Sequence, residues 1–224
     1  MELAEKIKAS LIEDALPVIR RSPYEPFKRL FDFCFAVVLL PFLLPLMGLI
    51  AVLIKMDSQG PVLFSGIRIG KSGRRFNCYK FRTMVENAEE MLSDLLKDSD
   101  VKREWKKNIK LKNDPRITSI GFFLRKFSLD ELPQIFNVLK GDMSFVGPRP
   151  ILEEEVVKYG SFIETYESQR PGITGLWQIS GRNDSDYSQR IRLMIDYLER
   201  INPVLDLKII LKTLPAVLSR RGAY

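Results

Sequence analysis

The stretch LFDFCFAVVLLPFLLPLMGLIAVLI, Leu30 to Ile54, decides the architecture. Within it, Phe33 to Ile54 runs for 22 residues without a charge. As a straight helix this run reaches across roughly 30 Å of hydrocarbon. Two features count against a simple span. Pro41 and Pro45 fall near the middle, where each removes a backbone donor and favours a kink. Both flanks are basic, with Arg20, Arg21, Lys28 and Arg29 before the run and Lys55, Arg68 and Lys71 after it. The positive-inside tendency therefore chooses neither end. A helix that enters one leaflet, bends at proline and returns satisfies both flanks, and places the N-terminus and the main domain on the same cytoplasmic side. Asp32 then sits near the interface, within one turn of Lys28 and Arg29. A signal peptide fits poorly, because no small-residue cleavage site follows the run. A buried core helix would be unusually apolar. On the residues alone, the spanning and re-entrant readings both stay open.

The rest of the composition narrows the chemistry. A chain of 224 residues holds one sizeable core and an appended membrane element, and no internal repeat is visible. Lys and Arg outnumber Asp and Glu by 35 to 28, a net charge of +7 that favours anionic partners. There is no histidine, which removes histidine-based acyl transfer. The two cysteines, Cys34 and Cys78, match no metal spacing and read as reduced thiols in a cytoplasmic compartment. A zinc site is not expected. Helix-turn-helix, zinc-finger and aromatic RNA-binding signatures are absent, so no nucleic-acid partner is expected.

Past the apolar run, DSQGPVLF (Asp57–Phe64) reads as a turn and a short strand, and Arg68 to Met84 as a glycine-containing hairpin. With Arg74, Arg75, Lys80 and Arg82, that hairpin reads either as a basic, solvated face or as an anion-binding surface. Glu86 to Asp98 has helical spacing with an acidic first turn. A basic stretch follows, from Lys102 to Lys112; such a cluster is more often a solvated face than a site, and beside a membrane segment it could also hold the domain against acidic lipid. Gly172, Gly175 and Gly181 punctuate loops around a short strand expected at Trp177. Tyr187, Ile191, Met194, Ile195 and Leu198 share one helical face. Asn202 and Pro203 look like a cap and a first helical residue. The last helix, Val204 to Arg221, is apolar with interspersed lysines, so it lies on the membrane or covers the core. Pro215 should interrupt it.

FSLDELPQIFNVLKGDMSFVGPRP, Phe127 to Pro150, carries the candidate chemistry. Ser128 and Glu131 fit a capping box at a helix start. That leaves Asp130 unexplained. Adjacent helical residues point about 100 degrees apart, so Asp130 and Glu131 do not face each other. They can flank a metal or phosphate placed over the helix start, where free amides favour the carboxylate form. Asp130 is then a candidate nucleophile or magnesium ligand. Arg149, held between Pro148 and Pro150, offers a fixed fork of donors to phosphate, with Arg116 and Arg170 as further turn-borne candidates.

Several pieces together give a family resemblance. They are KRLFD (Lys28–Asp32), the apolar segment, GPVLF (Gly60–Phe64), YKFRTM (Tyr79–Met84), DPRIT (Asp114–Thr118), LDELPQIFNVLKGDMSFVGPRP (to Pro150), RPGITGLWQISGR (to Arg182) and the terminal RGAY. In this order they resemble the bacterial sugar transferases, the monotopic polyprenyl-phosphate phosphoglycosyl transferases, in their minimal catalytic form. The resemblance implies an α+β monotopic membrane protein with a re-entrant N-terminal helix, interfacial amphipathic helices and a small cytosolic catalytic domain. Residues 1–27 would form an N-terminal cytoplasmic or interfacial segment, 28–56 the re-entrant helix, and 57–224 the catalytic domain. It implies transfer of a sugar 1-phosphate from a UDP-sugar to polyprenyl (undecaprenyl) phosphate with release of UMP. Asp130 would be nucleophile and Mg²⁺ ligand, and Glu131 would support the metal. Lys80, Arg82, Arg116, Arg149 and Arg170 would bind phosphate and nucleotide. Pro45, or the nearby Pro41, would break the membrane helix; Leu44 stands where serine commonly precedes the family's proline. The expected setting is the cytoplasmic face of the inner membrane, against anionic membrane lipid, and a homodimer is compatible with the sequence.

Overall fold

The computed structural model describes residues 22–108, 111, 113–180 and 187–218. Arg20, Arg21, Lys110, Lys112, Arg182, the RGAY ending and most of segment 1–27 lie outside the described residues.

The apolar run folds as one helix, α1 (Glu25–Asp57), with helical backbone continuing through Pro41 and Pro45. Lys28, Asp32, Ala36, Met47, Ile50 and Ile54 are buried, and Leu39, Leu40 and Leu43 bridge the gap between them. Their spacing of three and four residues makes one stripe, and that stripe packs along the rest of the protein. The other faces are bare: Phe27, Leu30, Phe42, Leu49 and Met56 are all exposed. Only 17 % of the most apolar window is buried, which argues against a soluble core helix.

A hairpin follows, β1 (Leu63–Ile69) antiparallel to β2 (Arg75–Phe81), in register from Leu63↔Phe81 to Ile69↔Arg75. Its turn uses Ser72 and Gly73 at positive φ. The helix expected over 86–98 is shorter, α2 (Ala88–Leu95), and a second helix, α3 (Ser99–Asn108), follows. Next comes α4 (Ser119–Lys126), capped by Thr118 Oγ1, which accepts from the Gly121 N–H at 3.0 Å. A Cβ at Gly121 would lie 2.1 Å from the Thr83 carbonyl oxygen, so glycine permits this close approach. A 3₁₀ turn, Leu129–Glu131, leads into α5 (Gln134–Lys140), which ends at Gly141 with φ of 89°.

β3 (Ser144–Val146), α6 (Val156–Tyr159), α7 (Ile163–Glu167) and β4 (Gly172–Thr174) follow, with β3 and β4 paired in parallel. The strand expected at Trp177 is instead this earlier β4; Trp177 lies in a helical turn, α8 (Leu176–Ile179). The bulk of the core packs under α9 (Tyr187–Arg200), where Met194, Tyr197 and Leu198 are buried and Tyr187, Ile191 and Ile195 pack alongside. Asn202 Oδ1 accepts from the Leu205 N–H at 2.9 Å, capping α10 (Pro203–Leu218) as anticipated. Pro215 does not interrupt α10, whose helical assignment continues through it to Leu218. Ile209 covers the core, while Val204, Leu207, Leu211 and Leu214 face outward as an apolar stripe.

The start of α1 is locked to α10. Lys28 Nζ lies 2.5 Å from Asp206 Oδ2, and Tyr197 and Tyr24 donate to the same carboxylate at 2.8 and 3.1 Å. The charges of Asp32, Lys28 and Arg29 act on one another, as expected from their spacing, while their hydrogen bonds go elsewhere. Asp32 accepts from the Phe145 N–H at 3.3 Å, and Arg29 donates to the carbonyls of Val138 and Leu139 at 2.6 and 2.9 Å. Burial of the helix start against α5 and α10 supplies tertiary partners in addition to the local ones.

Candidate active site

Three elements meet at the Asp-Glu pair. The 3₁₀ turn carries Asp130 and Glu131, β2 carries Lys80, and α4 carries Arg125. Ser128 adopts the left-handed conformation (φ 54°) without a side-chain cap bond, so the expected capping box does not form. The Glu131 carboxylate turns instead to Lys80, whose Nζ lies 2.6 Å from Glu131 Oε1 and 3.8 Å from Asp130 Oδ2. The tight turn, not a helical first turn, sets the direction of the two acids.

Asp130 is buried, 9 % exposed. Burial is the main influence on its carboxyl, raising it to about 6; Glu131 adds to the rise, while Lys80 and Arg125 oppose it. The amide contribution expected at a helix start acts in the anticipated direction and is outweighed. Burial works against the Lys80 charge, yet Glu131 and Asp130 outweigh it and hold the ammonium above its usual range. Arg125 donates from Nε to Thr83 Oγ1 at 2.8 Å. Burial pulls its guanidinium down, with Asp130 and Asp114 pulling it back. Sequence reasoning passed over Arg125, which sits in the basic apolar GFFLRKF; five residues before Asp130, across a turn, its proximity has no periodic signature.

Arg149 lies in the loop after β3. Its charge opposes that of Lys80, and its Cζ stands 5.0 Å from the Trp177 ring centroid, with Arg190 Cζ at 4.6 Å from the same ring. The Arg149 Nε is buried without a hydrogen-bond partner. Glu155, which accepts from Tyr187 at 2.5 Å and from Arg190 at 3.0 Å, balances this cationic corner. A cavity bordered by Gly147, Arg149, Trp177, Arg190 and Met194 lies behind Arg149; its lining includes neither Asp130 nor Lys80.

The hydrogen bonds of the other sequence candidates run to groups within the fold. Arg82 donates to the carbonyls of Ser58 and Gln59 and to Ser58 Oγ, closing the end of α1. Arg116 is buried in a two-point pair with Asp114, at 2.8 and 2.6 Å, beside Trp105. Arg170 donates to the Gly141 carbonyl at 2.8 Å and lies 3.5 Å from Glu25. So Lys80, Asp130, Glu131 and Arg125 meet in the structure, Arg149 acts on Lys80 through its charge, and the hydrogen bonds of Arg82, Arg116 and Arg170 run to groups of the fold.

Among the described residues, no group of three or more His, Cys, Asp or Glu is arranged to enclose a metal. Asp130 and Glu131, both drawn to Lys80, are the carboxylates that would hold a magnesium ion shared with substrate phosphates, since that ion is commonly held by one or two carboxylates and keeps several waters.

Comparison with known proteins supplies the lineage. Residues 23–220 match the family model described as bacterial sugar transferase. The chain is 48 % identical over 198 residues to the undecaprenyl-phosphate galactose phosphotransferase of Salmonella typhimurium, covering 88 % of this chain and 41 % of that protein. It is 46 % identical to the exopolysaccharide production protein ExoY of Sinorhizobium fredii, covering 88 % of each. It is 38 % identical to the undecaprenyl-phosphate glucose phosphotransferase of Komagataeibacter xylinus, covering 94 % of this chain and 40 % of that one. The chain thus spans about two fifths of two of these relatives and most of the third. With the Asp-Glu turn and its cations in place on this fold, the chain belongs to the bacterial sugar transferase family.

Proposed function

We propose that this protein transfers a sugar 1-phosphate from a UDP-sugar to polyprenyl (undecaprenyl) phosphate, releasing UMP, with Asp130 as the nucleophile. The observation that carries this reading is the buried Asp130 beside Glu131 and Lys80, with Arg125 and Arg149 close by. Relatives named for undecaprenyl-phosphate sugar phosphotransfer support it.

In the first step an Asp130 carboxylate oxygen attacks the phosphorus that bears the sugar. The bond from that phosphorus to the bridging oxygen breaks, and UMP leaves with the electron pair. In the second step an oxygen of the lipid phosphate attacks the same phosphorus and Asp130 leaves as carboxylate. The lipid phosphate is already ionised, so no strong base is needed and the missing histidine is no obstacle. Lys80 and Arg149 offset phosphate charge, and Glu131 orients Lys80. Bound magnesium, held by Asp130 and Glu131, would supply further neutralisation of phosphate charge.

The setting belongs to the same proposal. One stripe of α1 contacts the catalytic domain from Lys28 to Ile54, so both ends of the helix are fixed to one body. That favours a re-entrant helix in the cytoplasmic leaflet of the inner membrane over an independent span. The exposed apolar residues of α1, of α4 (Phe122, Phe123) and of α10 would meet anionic membrane lipid. Purified protein supplied with individual UDP-sugars, undecaprenyl phosphate and Mg²⁺ should form UMP and lipid-linked sugar in equal amounts. UMP without lipid product would point to a hydrolase, and neither product with any sugar would remove the proposal.

A further inference from the structure

Asn137 is fully buried in α5, among Ile135, Phe136, Val138 and Leu139. A primary amide in such surroundings is destabilising unless its polar atoms are matched. Here they are. Oδ1 accepts from the Tyr79 N–H at 3.0 Å, and Nδ2 donates to the Asn77 carbonyl at 2.7 Å and to Asp142 Oδ2 at 3.2 Å.

Residues 77 and 79 alternate along β2, whose other edge is occupied by β1. An amide that accepts from one and donates to the other presents the donor and acceptor of a neighbouring strand's peptide group. Asn137 thus pairs with the open edge of β2 as a single-residue third strand. The residue after Tyr79 is Lys80, and the segment that carries Asn137 also carries the acids Lys80 meets. The clamp and the ion pairs join the same two pieces of chain. The Lys80 side chain meets both carboxylates, at 2.6 and 3.8 Å, with its backbone held in this register.

We infer that Asn137 is a positioning residue, which fixes β2 against α5 so that Lys80 is delivered to the Asp130–Glu131 pair. The inference rests on the proposed role of Asp130 in sugar-phosphate transfer. A purely structural Asn137 would change stability while the folded fraction turned over normally.

The test combines hydrogen exchange with a mutant cycle on the full chain in lipid nanodiscs. In the unsubstituted protein the Tyr79 amide should exchange as slowly as the amides bonded between β1 and β2; fast exchange would overturn the clamp. Asn137→Leu removes the amide, and the isosteric Asn137→Asp reverses the donor facing the Asn77 carbonyl. Per folded molecule, each should lower kcat by at least about tenfold, with KM for the UDP-sugar within about threefold. In a Lys80→Met background, adding Asn137→Asp should lower kcat less than about twofold further. Unsubstituted kcat in either folded variant, or losses that multiply fully with Lys80→Met, would overturn the inference. If one variant fails to fold, the other and the Tyr79 exchange decide. Asp130→Asn is run in parallel: turnover in that variant would remove the nucleophile reading, while the clamp would still be judged on exchange and on the cycle.

Discussion

Asp130→Asn should abolish transfer and make the protein more stable. The Asp130 carboxyl is raised from 3.8 to about 6 in the fold, chiefly by burial. A group with a raised folded pKa favours the folded state while protonated, and that contribution is lost as pH rises through the folded pKa. Two units correspond to roughly 3 kcal/mol at neutral pH, taken as a ceiling. Asparagine is neutral at every pH, so it avoids the cost of ionising a buried acid. Little is forfeited at Lys80, which stands 3.8 Å from Asp130 and keeps Glu131 at 2.6 Å. In metal-free buffer near neutral pH the variant should gain roughly 1–3 kcal/mol, or about 3–10 °C in Tm for a chain of this size. Thermal unfolding between about pH 4 and pH 7 checks the sign. The unsubstituted protein should lose stability relative to the variant as pH climbs from about 4 to 6. Magnesium should raise the Tm of the unsubstituted protein more than that of the variant. A folded Asp130→Asn protein that is less stable near neutral pH, or a stability difference that stays flat across this window, would refute the reasoning.

Arg149→Lys keeps the charge but loses the fork of donors and the guanidinium placed over Trp177; kcat/KM should fall by roughly ten- to a hundredfold, and unchanged turnover would place Arg149 outside the phosphate clamp. Asp206→Asn strips the buried partner from Lys28 and should destabilise by roughly 2–4 kcal/mol. Adding Lys28→Met should recover part of that loss, and an effect under about 1 kcal/mol in denaturant unfolding would show the pair to be dispensable. Gly172→Ala places a Cβ 2.1 Å from the Gly147 nitrogen; it should destabilise by at least about 2 kcal/mol and depress activity through the Arg149 loop, so a normal Tm would contradict the packing. With Cys34 and Cys78 replaced, single-cysteine probes at positions 22 and 58 should both label only from the cytoplasm, whereas periplasmic labelling of position 22 would establish a spanning helix.

Where local patterning sets structure, the sequence was readable. The 22-residue uncharged run, the hairpin around Ser72 and Gly73, the Tyr187–Leu198 face and the Asn202 cap each follow from spacing or backbone preference, and each is present. The Asp-Glu pair stood out because a cap explained only one of its two acids. Its geometry did not: a left-handed Ser128 replaces the capping box, and no pattern announces that in a non-glycine residue. Partners separated by long stretches of chain were also hidden. Lys28 meets Asp206 from 178 residues away, so local charge spacing pointed to Asp32 instead. Arg82, Arg116 and Arg170 stood out because turns present charge well; that their hydrogen bonds run to carbonyl and carboxylate groups within the fold has no local signature. Asn137 is one polar residue in IFNVL, and only the open edge of β2 gives it meaning.

The central claim is a sugar-phosphoryl group held on Asp130. Mass spectrometry of the purified protein, mixed with an accepted UDP-sugar and Mg²⁺ but no lipid, tests it most directly. A burst of UMP stoichiometric with enzyme, a hexose-phosphate adduct on the peptide that contains Asp130, and discharge of that adduct by undecaprenyl phosphate are the predicted results. UMP formed only when both substrates are present, with no adduct trapped, or an adduct on any other residue, would contradict the account.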